Sequence, residues 1–597
     1  MDPAIISLVV LAATVGLFLW NKLSVGVVAI LTTLALYATG VLDARQALAG
    51  FGDPVVVFVA SLFVVSEALD ATGVTAWAGQ AIAARTGSGR RQLLVAVMLL
   101  AGLLTAVVSP NGSVAALLPM VVVLAVRNGH APSQLALPLA FAAHAGSLLA
   151  LSGSPVNVIV SEAAAADGHG SFGFFEFAVL GVPLLAVTIA ISAYLGPRLL
   201  PAASAGSPLA DLSRHAGALA GHYALQDGFY RLAVPPRSPL VGTPVPAHDP
   251  PAVRVLGVQT VDGAAAAVGR TVEAGDAIVV NGPAEAVIGF AARWQLDVRQ
   301  RPVGGDELLT RESGVVEVVV PPRSELVGER VFPGMVRVGS LVILAVRHLG
   351  KESGARGTVL TEGDSLLLHG PWAVVDSLVD HRDVLVVDAP DQVRRQAVPM
   401  GARSAEALVV LGVMVVLLAT GVVPPAVAGL GAAVAMVALR VVTPQHAYRA
   451  VSWQTVVLLG GLIPLSTAIS SSGAADLLAR GLLRVVGDLS PYLLLVAIFL
   501  VTAALGQVVS NTATALIVVP IAVAAAQAAG TGVEPVLMTV AVAGAASFLT
   551  PIATPSNMMV MGPGGYRFGD YWRLGLVTML AWLVVALVVI PLVWPLR

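Results

Sequence analysis

Two things are scarce in this 597-residue chain: it has no cysteine, and only 11% of its residues are charged. Without cysteine, neither disulfides nor thiolate-bound metal sites can form. Soluble domains are about 25% charged, so the low charged fraction, together with 57% hydrophobic residues, places the chain among membrane proteins. The formal net charge of −2 gives no basis for binding nucleic acid.

The chain also lacks the local patterns of several other functions. It contains no GxGxxG fingerprint, so a complete dinucleotide-binding Rossmann unit is not predicted. A carbonyl filter such as TVGYG, which would favour a selective channel, is absent from the sequence. No nucleophile, base and orienting group occur together, so we do not expect an enzyme.

Apolar runs of about 20 residues, the length that spans a bilayer as a helix, dominate both ends of the chain. The N-terminal run lacks a preceding basic segment, so we interpret it as a spanning helix and not as a cleaved signal. We predict crossings near residues 3–20, 24–41, 54–72, 133–150, 176–199, 405–420, 424–441, 454–471, 535–550 and 574–595. Two longer runs, 93–127 and 492–528, could each form two arms, and each is interrupted by polar residues.

Between residues 202 and 403 the apolar runs stop, and charged residues, Pro and Gly become frequent. This insert contains an internal repeat: PPRSPLVG (235–242) recurs as PPRSELVG (321–328), and VEAGDAIVVNGP (272–283) recurs as LTEGDSLLLHGP (360–371). We therefore predict an α+β insert of two tandem domains between two membrane repeats. The predicted boundaries are 1–200, 201–303, 304–403 and 404–597.

Four positions in the insert repeat suggest local roles. Gly275-Asp276 and Gly363-Asp364 are predicted to form hairpin turns. Arg237 and Arg323 could bind a regulatory nucleotide or another anion, or each could cap a turn or pair with a carboxylate.

The two membrane segments also repeat each other, more weakly but over their whole length. SLLALSGSPVN (147–157) aligns with SFLTPIATPSN (547–557), VVSPNGSVAALLP (107–119) with VVSNTATALIVVP (508–520), and FGFFEFAVLG (172–181) with YRFGDYWRLG (566–575). An odd number of crossings in each half, five by this count, would insert the second half upside down. Such inverted repeats are typical of secondary transporters.

Basic residues flank the insert on both sides. Arg198 and Arg214 precede it, and Arg394, Arg395 and Arg403 follow it. The positive-inside rule therefore predicts a cytoplasmic insert with both termini outside. The expected location is the plasma membrane, which the chain would cross many times.

Each half carries two polar stretches that would break a helix. They are SPNGS (109–113) and SGSPVN (152–157) in the first half, and SNTAT (510–514) and TPIATPSN (550–557) in the second. Pro and Gly free backbone carbonyls there, and Ser, Thr and Asn add oxygens without adding charge. Backbone of this kind is tolerated in a membrane where it faces protein or a watery cavity. The pattern favours re-entrant hairpins and broken helices that hold an ion and a substrate; packing contacts between helices are the alternative.

These polar stretches resemble those of the divalent anion/sodium symporter family. The similarity rests on Ser510-Asn511-Thr512, on the following Pro520 and on TPSN at 554–557, and it extends over both membrane halves. That family belongs to the ion transporter superfamily, which also contains arsenite permeases and sodium/proton antiporters. The insert resembles the paired TrkA-C (RCK-C) domains that some members carry at this place.

The resemblance implies a sodium ion in each half, an anion between them, an elevator-type motion, a homodimer and no organic cofactor. The implied sodium ligands are Ser109, Asn111, Ser152, Gly153, Ser510, Asn511, Ala553 and Thr554. The implied substrate contacts are Asn511, Thr512, Asn111, Ser113, Ser154 and Thr554. Where the family has SNT, the first half reads Ser109-Pro110-Asn111, so a proline replaces one amide of the family pattern.

Three ionisable residues lie within apolar segments. Glu67 could couple transport to protons, whereas Asp70 lies near the end of its helix and could reach water. His144 could titrate near neutral pH or could pack between helices.

The sequence thus predicts a sodium-coupled secondary transporter for a small divalent anion, such as sulfate or a C4-dicarboxylate. No arginine falls in the polar stretches, which favours cation-coupled binding over a bare anion channel. The alternatives are a cation/proton antiporter or an oxyanion permease of the same superfamily, and a gated channel or sensor governed by the insert.

Overall fold

The structure is a computed structural model, mostly helical, and it divides into two compact units. The membrane unit comprises Met1–Ala210 and Arg403–Arg597, and the insert unit comprises Asp211–Ala402. The structure describes residues 2–20, 22–75, 77–78, 81, 89–168, 170–202, 229–244, 253–260, 265–266, 271–281, 283–300, 313–337, 341–348, 351–352, 358–378, 381–387, 400, 403–486 and 490–596. Arg214, Arg394 and Arg395, which entered the orientation prediction, lie outside the described residues.

The membrane unit is built from helices throughout its described residues. The first half contains α1 Pro3–Trp20, α2 Val25–Ala38, α3 Ala44–Ala49, α4 Pro54–Ala71, α5 Arg90–Thr105, α6 Pro110–Arg127, α7 Ser133–Gly146, α8 Pro155–Ala166, α9 Ala178–Tyr194 and α10 Gly196–Leu199. In the insert unit, α11 is Ala284–Arg293 and α12 is Trp372–Ser377. The second half contains α13 Ser404–Thr420, α14 Pro425–Ala438, α15 Pro444–Ala450, α16 Trp453–Ser471, α17 Ala474–Val486, α18 Pro491–Gly506, α19 Asn511–Ala529, α20 Val533–Ala545, α21 Pro555–Met561 and α22 Tyr571–Val593.

Six helical segments among the described residues are long and apolar enough to cross a membrane. They are Pro3–Trp20, Ala44–Ala71, Pro110–Arg127, Trp453–Ser471, Asn511–Ala529 and Phe568–Val593. Shorter apolar helices, including α2, α9, α13 and α14, accompany them. This is the composition of a polytopic membrane protein.

The two halves of the membrane unit pack through reciprocal contacts. Helix α2 packs on α16, and α14 packs on α4. A Cβ added to Gly461 would lie 2.9 Å from Ala29, and one added to Gly429 would lie 3.3 Å from the Cβ of Ser61. Ala29 and Gly429 differ by 400 positions, as do Ser61 and Gly461. The same contact is therefore made twice with the halves exchanged, as in a two-fold interface.

A further contact joins two residues, one from each half, that the sequence alignment of the halves places at the same position. Trp582 Nε1 on α22 donates a hydrogen bond of 2.8 Å to Thr188 Oγ1 on α9. The alignment of 172–181 with 566–575 sets an offset of 394 positions, and 582 − 188 gives the same offset. Two positions that this alignment pairs are therefore in direct contact.

The insert unit contains two sheets with the same strand order. The first sheet has the order β3-β2-β4-β1-β5, and the second has the order β10-β9-β12-β6-β13, with β8 beside β9 and a separate β11-β7 pair. The strands are β1 Phe229–Ala233, β2 Arg254–Gln259, β3 Ala265–Ala266, β4 Ala277–Asn281, β5 Asp297–Gln300, β6 Ser313–Val319, β7 Arg330–Val331, β8 Val336–Arg337, β9 Leu341–His348, β10 Lys351–Glu352, β11 Thr358–Val359, β12 Ser365–Pro371 and β13 Leu385–Val386. The shared order is what two copies of one fold would give.

Equivalent turns precede β4 in the first sheet and β12 in the second. Gly275 N–H donates to Val234 O at 2.8 Å, and Gly363 N–H donates to Val320 O at 2.9 Å. Both glycines have positive φ angles, 95° and 84°, which side chains other than glycine rarely adopt. Gly-Asp turns are therefore present at both predicted places, but they are not the hairpin turns that the sequence predicted. β12 pairs with β6 and β9 and not with β11, and β4 pairs with β1 and β2 and not with β3.

Gln259 on β2 connects the two larger sheets of the insert unit. Its Nε2 donates to Val336 O at 2.7 Å, and its Oε1 accepts from Val336 N–H at 3.1 Å. Arg237 lies 3.8 Å from Asp297 Oδ1 on the surface, which fits the expected pairing with a carboxylate. An exposed pair of this kind contributes little to stability.

Candidate functional site

Four helices begin at one place in the membrane unit, each with a hydroxyl residue as its N-cap. Ser109 caps α6, Ser154 caps α8, Ser510 caps α19 and Thr554 caps α21. Each side-chain oxygen accepts a backbone N–H of the first turn, at 3.2, 3.2, 3.4 and 3.3 Å respectively. Ser and Thr are preferred caps because their oxygen satisfies an N–H that the helix leaves free. The four polar stretches are thus helix starts.

These helix starts surround a cavity of about 310 Å³. Its described lining contains no Asp, Glu, Lys or Arg, and His144 is its only ionisable side chain. The lining residues are Val25, Val59, Leu62, Phe63, Ser66, Val107, Ser109, Pro110, Asn111, His144, Ser147, Ser152, Gly153, Ser154, Pro155, Ser452, Gln454, Thr455, Leu458, Ser510, Asn511, Thr512, Ala545, Ala553, Thr554 and Pro555.

The cavity brings together residues that the sequence analysis assigned to sodium or substrate. Those in the lining are Ser109, Asn111, Ser152, Gly153, Ser154, Ser510, Asn511, Thr512, Ala553 and Thr554. Ser113 is the exception, since it lies one turn inside α6, is fully buried and is not part of the lining. The lining includes Ser66 but neither Glu67 nor Asp70.

A buried asparagine holds the broken helix of each half in the same way. Asn157 Nδ2 donates to Ser147 O at 2.7 Å and to Ala150 O at 2.9 Å. In the second half, Asn557 Nδ2 donates to Ser547 O at 2.7 Å and to Thr550 O at 3.1 Å. The carbonyls that a helix leaves free at its C-terminal end are satisfied by these amides. The same three-residue geometry therefore occurs twice, 400 positions apart.

In the second half, several hydrogen bonds tie the tip before α19 to the broken helix. Ser547 Oγ donates to Asn511 Oδ1 at 2.6 Å. Gln507 Nε2 donates to Ala546 O at 3.1 Å, and Thr550 Oγ1 donates to Gln507 O at 3.1 Å. Asn511, assigned to both sodium and substrate, is thus held in a fixed orientation.

In the first half, one side-chain hydrogen bond makes the corresponding connection. Ser152 Oγ donates to Ala106 O at 3.0 Å, which connects the broken helix to the end of α5. A Cβ added to Gly153 would lie only 2.4 Å from Ser147 O, so this position accepts glycine alone. The close approach packs the backbone of residues 152–154 beside the cavity.

The chemistry of this cavity suits ions of both signs. Neutral hydroxyl, amide and carbonyl oxygens coordinate Na⁺ without the cost of a buried carboxylate. The N-termini of α6, α8 and α19 add partial positive charge and free N–H groups, which favour an anion. A cation and an anion held together would leave the low-dielectric interior with a smaller net charge.

Sequence reasoning missed some of the residues that line or support the cavity. Ser147 lines it, and its counterpart Ser547 binds Asn511. A serine at the same place in both aligned segments was the available signal. Ser452, Gln454 and Thr455 also line it, just before and within α16, and no polar break marks them.

Comparison with known proteins identifies the family. The citrate transporter family matches residues 15–543 and 490–597 of this chain. The chain belongs to that family. Uncharacterized transporter YfbS of Escherichia coli K12 is 30% identical over 615 residues, covering 98% of each chain.

Two further relatives carry a substrate in their names. Sodium-dependent dicarboxylate transporter SdcS of Staphylococcus saprophyticus is 34% identical over 146 residues, which are 24% of this chain and 28% of SdcS. Sodium/sulfate cotransporter 2 of Chlamydomonas reinhardtii is 28% identical over 360 residues, which are 54% of this chain and 38% of the cotransporter.

As a member of the citrate transporter family with several helices able to cross a membrane, the protein is a multi-pass membrane protein of a transporter family. The four polar stretches fall within the residues that the citrate transporter family matches. Family membership and the cavity therefore concern the same part of the chain.

Proposed function

We propose that this protein is a secondary active transporter that couples sodium entry to uptake of a small divalent anion, either sulfate or a dicarboxylate. The observation that carries the proposal is the cavity without Asp, Glu, Lys or Arg at which four capped helices from both halves begin. The names of the partial relatives, a sodium-dependent dicarboxylate transporter and a sodium/sulfate cotransporter, agree with it.

In this proposal each half holds one sodium ion through neutral oxygens. The first-half ligands are Ser109, Asn111, Ser152 and Gly153, and the second-half ligands are Ser510, Asn511, Ala553 and Thr554. The bound cations supply positive charge beside the anion. The hydroxyls of Ser109 and Ser510 already accept one N–H each, and each retains a lone pair for a cation.

The anion lies between the two tips, where Asn111, Ser154, Asn511, Thr512 and Thr554 line the cavity. Amide and hydroxyl donors, together with the free N–H groups of the helix starts, bind its oxygens. Because no arginine contributes, the anion depends on the sodium ions for charge compensation. Sodium and substrate therefore bind cooperatively.

The motion that we propose is of the elevator type, driven between two pseudo-equivalent states of an inverted repeat. Helices α5–α8 and α18–α21 carry the four polar stretches and move as one body, which keeps the ligands together. Helices α1–α4 and α13–α16 form the scaffold and the interface of a homodimer. Scaffold residues such as Phe63 and Thr455 line one side of the cavity.

For the insert we propose two TrkA-C-like domains on the cytoplasmic side of the plasma membrane. Their repeated sheet order and repeated Gly-Asp turns support a tandem pair of one fold. Binding of a nucleotide or another anion there would bias the transport cycle. The sodium and substrate ligands that we propose for the transport site all lie outside the insert.

The test is uptake of labelled sulfate and of labelled succinate into proteoliposomes, with and without an inward sodium gradient. We expect accumulation of one of these anions only with the gradient. Asn511→Ala removes a side-chain oxygen from the cavity and should abolish that uptake. Asn128→Ala, at the far end of α6, is the matched control and should leave the uptake intact.

Two results would overturn the proposal. Uptake at the full rate in sodium-free medium under a proton gradient would exclude sodium coupling. Sodium/proton exchange or arsenite transport, with neither anion accumulated, would favour the antiporter or oxyanion permease alternatives.

A further inference from the structure

The two halves of the cavity differ, and the difference centres on His144. This residue lies on α7 of the first half, lines the cavity and is 2% exposed. Its Nε2 lies 3.3 Å from Asn557 Oδ1, 3.2 Å from Thr554 Oγ1 and 3.4 Å from Ser556 Oγ. A first-half side chain thus contacts three neighbouring polar groups of the second half.

Asn557 determines the direction of its hydrogen bond with His144. The Nδ2 group of Asn557 donates to Ser547 O and Thr550 O, so Oδ1 is the atom that faces the imidazole. A carbonyl oxygen can only accept, and His144 must therefore donate from Nε2. The neutral imidazole with its proton on Nε2 provides this bond.

The equivalent place in the other half has no such donor. The counterpart of His144 is Gly544, and the counterpart of Ser556 is Val156. A Cβ on Gly544 would lie 3.4 Å from a methyl group of Val156. The two positions thus lie close together, as His144 and Ser556 do, but the contact between them is apolar. Within the described chain, the fully buried Asn157 Oδ1 has no hydrogen-bond partner.

A second difference between the halves also adds a hydrogen bond in the second half. Tyr571 donates from its hydroxyl to Asn557 O at 2.7 Å, whereas the aligned residue of the first half is Phe177, which has no hydroxyl. Asn557 is thus held by Tyr571 through its backbone oxygen and by His144 through its side-chain oxygen. Asn511 is held in addition by Ser547.

We propose that His144 is a positioning residue that makes the second-half sodium site the tighter of the two. The proposal rests on the sodium-coupled function above. Ligands that are already fixed lose less conformational freedom when they bind an ion, so the site that includes Thr554 binds first. The first-half site lacks the corresponding donor, so fewer of its side chains are held in place before the ion arrives.

The experiment measures equilibrium binding of ²²Na⁺ to the purified full-length protein in detergent. Wild type should show two classes of sodium site. His144→Ala should weaken the tight class about ten-fold, the weight of one hydrogen bond to a buried acceptor, and should leave the weak class in place. His144→Gln keeps an N–H donor and should restore most of the affinity.

Two further variants keep the test decisive. His144→Leu retains most of the side-chain volume without a donor, and it should weaken the tight class as His144→Ala does. It therefore provides the measurement if His144→Ala folds poorly. Gly544→Ala adds a methyl group at an ordinary contact distance on the other side and should change neither class. In proteoliposomes, His144→Leu should raise the sodium concentration for half-maximal uptake and leave the maximal rate at saturating sodium nearly unchanged.

Three results would overturn the inference. They are a tight class that survives in His144→Leu, an equal weakening of both classes, and a His144→Gln variant no better than His144→Ala. A wild-type protein that binds no sodium at all would overturn the proposed function itself, and this inference with it.

Discussion

Asparagine side chains close the exposed ends of two helices in the middle of an apolar unit. Asn157 and Asn557 are both fully buried, and each gives both hydrogens of its amide to backbone carbonyls. Those carbonyls lie past the ends of α7 and α20, where the chain leaves the helix, and within the described chain only that of Ala150 also accepts a backbone N–H, from Gly153 at 3.1 Å. One side chain per half thus substitutes for a missing helical turn.

Replacing Asn557 by leucine tests this role. The substitution keeps the number and branching of the side-chain heavy atoms but leaves the carbonyls of Ser547 and Thr550 without these donors, at about 1–3 kcal/mol for each buried group. We expect a clearly lower thermal stability of the purified protein in detergent, followed by tryptophan fluorescence. Asn128→Leu is the matched control, because that half-buried amide donates to one carbonyl at a helix end. Equal melting temperatures for the two variants would contradict the assigned role.

Much of the candidate site was predictable from individual residues. Ser, Asn, Thr and Pro within long apolar runs have few uses in a membrane, so their clustering already pointed to a shared cavity. The contact of His144 with Asn557 was not predictable, because 413 positions separate the two residues and neither segment indicates the other. Only the difference between residues 144 and 544 in the aligned repeats hinted at it.

Helices α9 and α22 approach the broken helices through equivalent glycines. A Cβ added to Gly181 would lie 2.2 Å from Leu148 O, and one added to Gly575 would lie 2.2 Å from Phe548 O. Both glycines are one helix turn or so past the start of their helices, where a side chain would push the helix away from the backbone that it covers. The close approach is therefore needed in each half.

We predict that Gly181→Ala and Gly575→Ala each destabilise the protein by about 1–3 kcal/mol or more, the cost of overpacking a tight contact. The measurement is the melting temperature and the fraction of monodisperse protein after extraction. Gly412→Ala on α13 is the control, since nothing lies within 4 Å of its Cβ position. If all three variants melt alike, the close approach is not a determinant of stability.

A buried histidine makes the second sheet of the insert sensitive to pH. His369 on β12 is 8% exposed, and burial lowers its pKa from the ordinary value of 6.5. The unfolded chain therefore binds the proton more readily than the folded one. The stability that His369 permits is present above pH 6.5 and is lost as the pH falls below that value.

Hydrogen exchange of β12 in the full-length protein measures this effect. After correction for intrinsic exchange rates, protection should decrease between pH 7 and pH 5, and His369→Leu should remove most of the decrease. His381→Gln serves as the control because the His381 side chain is 44% exposed. Identical pH profiles for wild type and His369→Leu would show that another group is responsible.

Hydropathy predicted where the helices lie better than where they end. The crossing expected at 133–150 is α7, which ends at Gly146, although Leu148, Leu149 and Leu151 continue the apolar run. At Ala150 the backbone is extended, with φ −150° and ψ 158°. An apolar composition does not distinguish helix from extended backbone, and the extended form is stabilised here because the carbonyl of Ala150 accepts from Asn157 Nδ2 and from Gly153 N–H.

For the protein as a whole, the proposed elevator motion predicts that one disulfide between the moving part and the scaffold stops transport. The Cβ position of Gly112 at the start of α6 lies 3.6 Å from Ser66 Oγ on α4, close enough for a disulfide between cysteines at these positions. Oxidation of Ser66→Cys/Gly112→Cys would join the proposed moving part to the scaffold. We expect uptake to stop on oxidation and to return on reduction.

The single variants control for damage from each substitution, and the chain has no other cysteines to confuse the result. Bridge formation is quantified by mass spectrometry on the same proteoliposomes. Unchanged turnover with the bridge intact would exclude relative movement of α4 and α6 during transport.

The hydrogen bond between Trp582 and Thr188 shows what the two halves gain from being parts of one chain. In a pair of identical subunits that met at this position, each residue would face its own copy. Two indoles offer two donors and no acceptor, so a self-paired tryptophan could not form the bond. The bond needs two different residues at the aligned positions, and one chain that carries both halves provides them. In the same way, one chain can place a histidine at position 144 and a glycine at position 544, so that the two halves of the cavity differ.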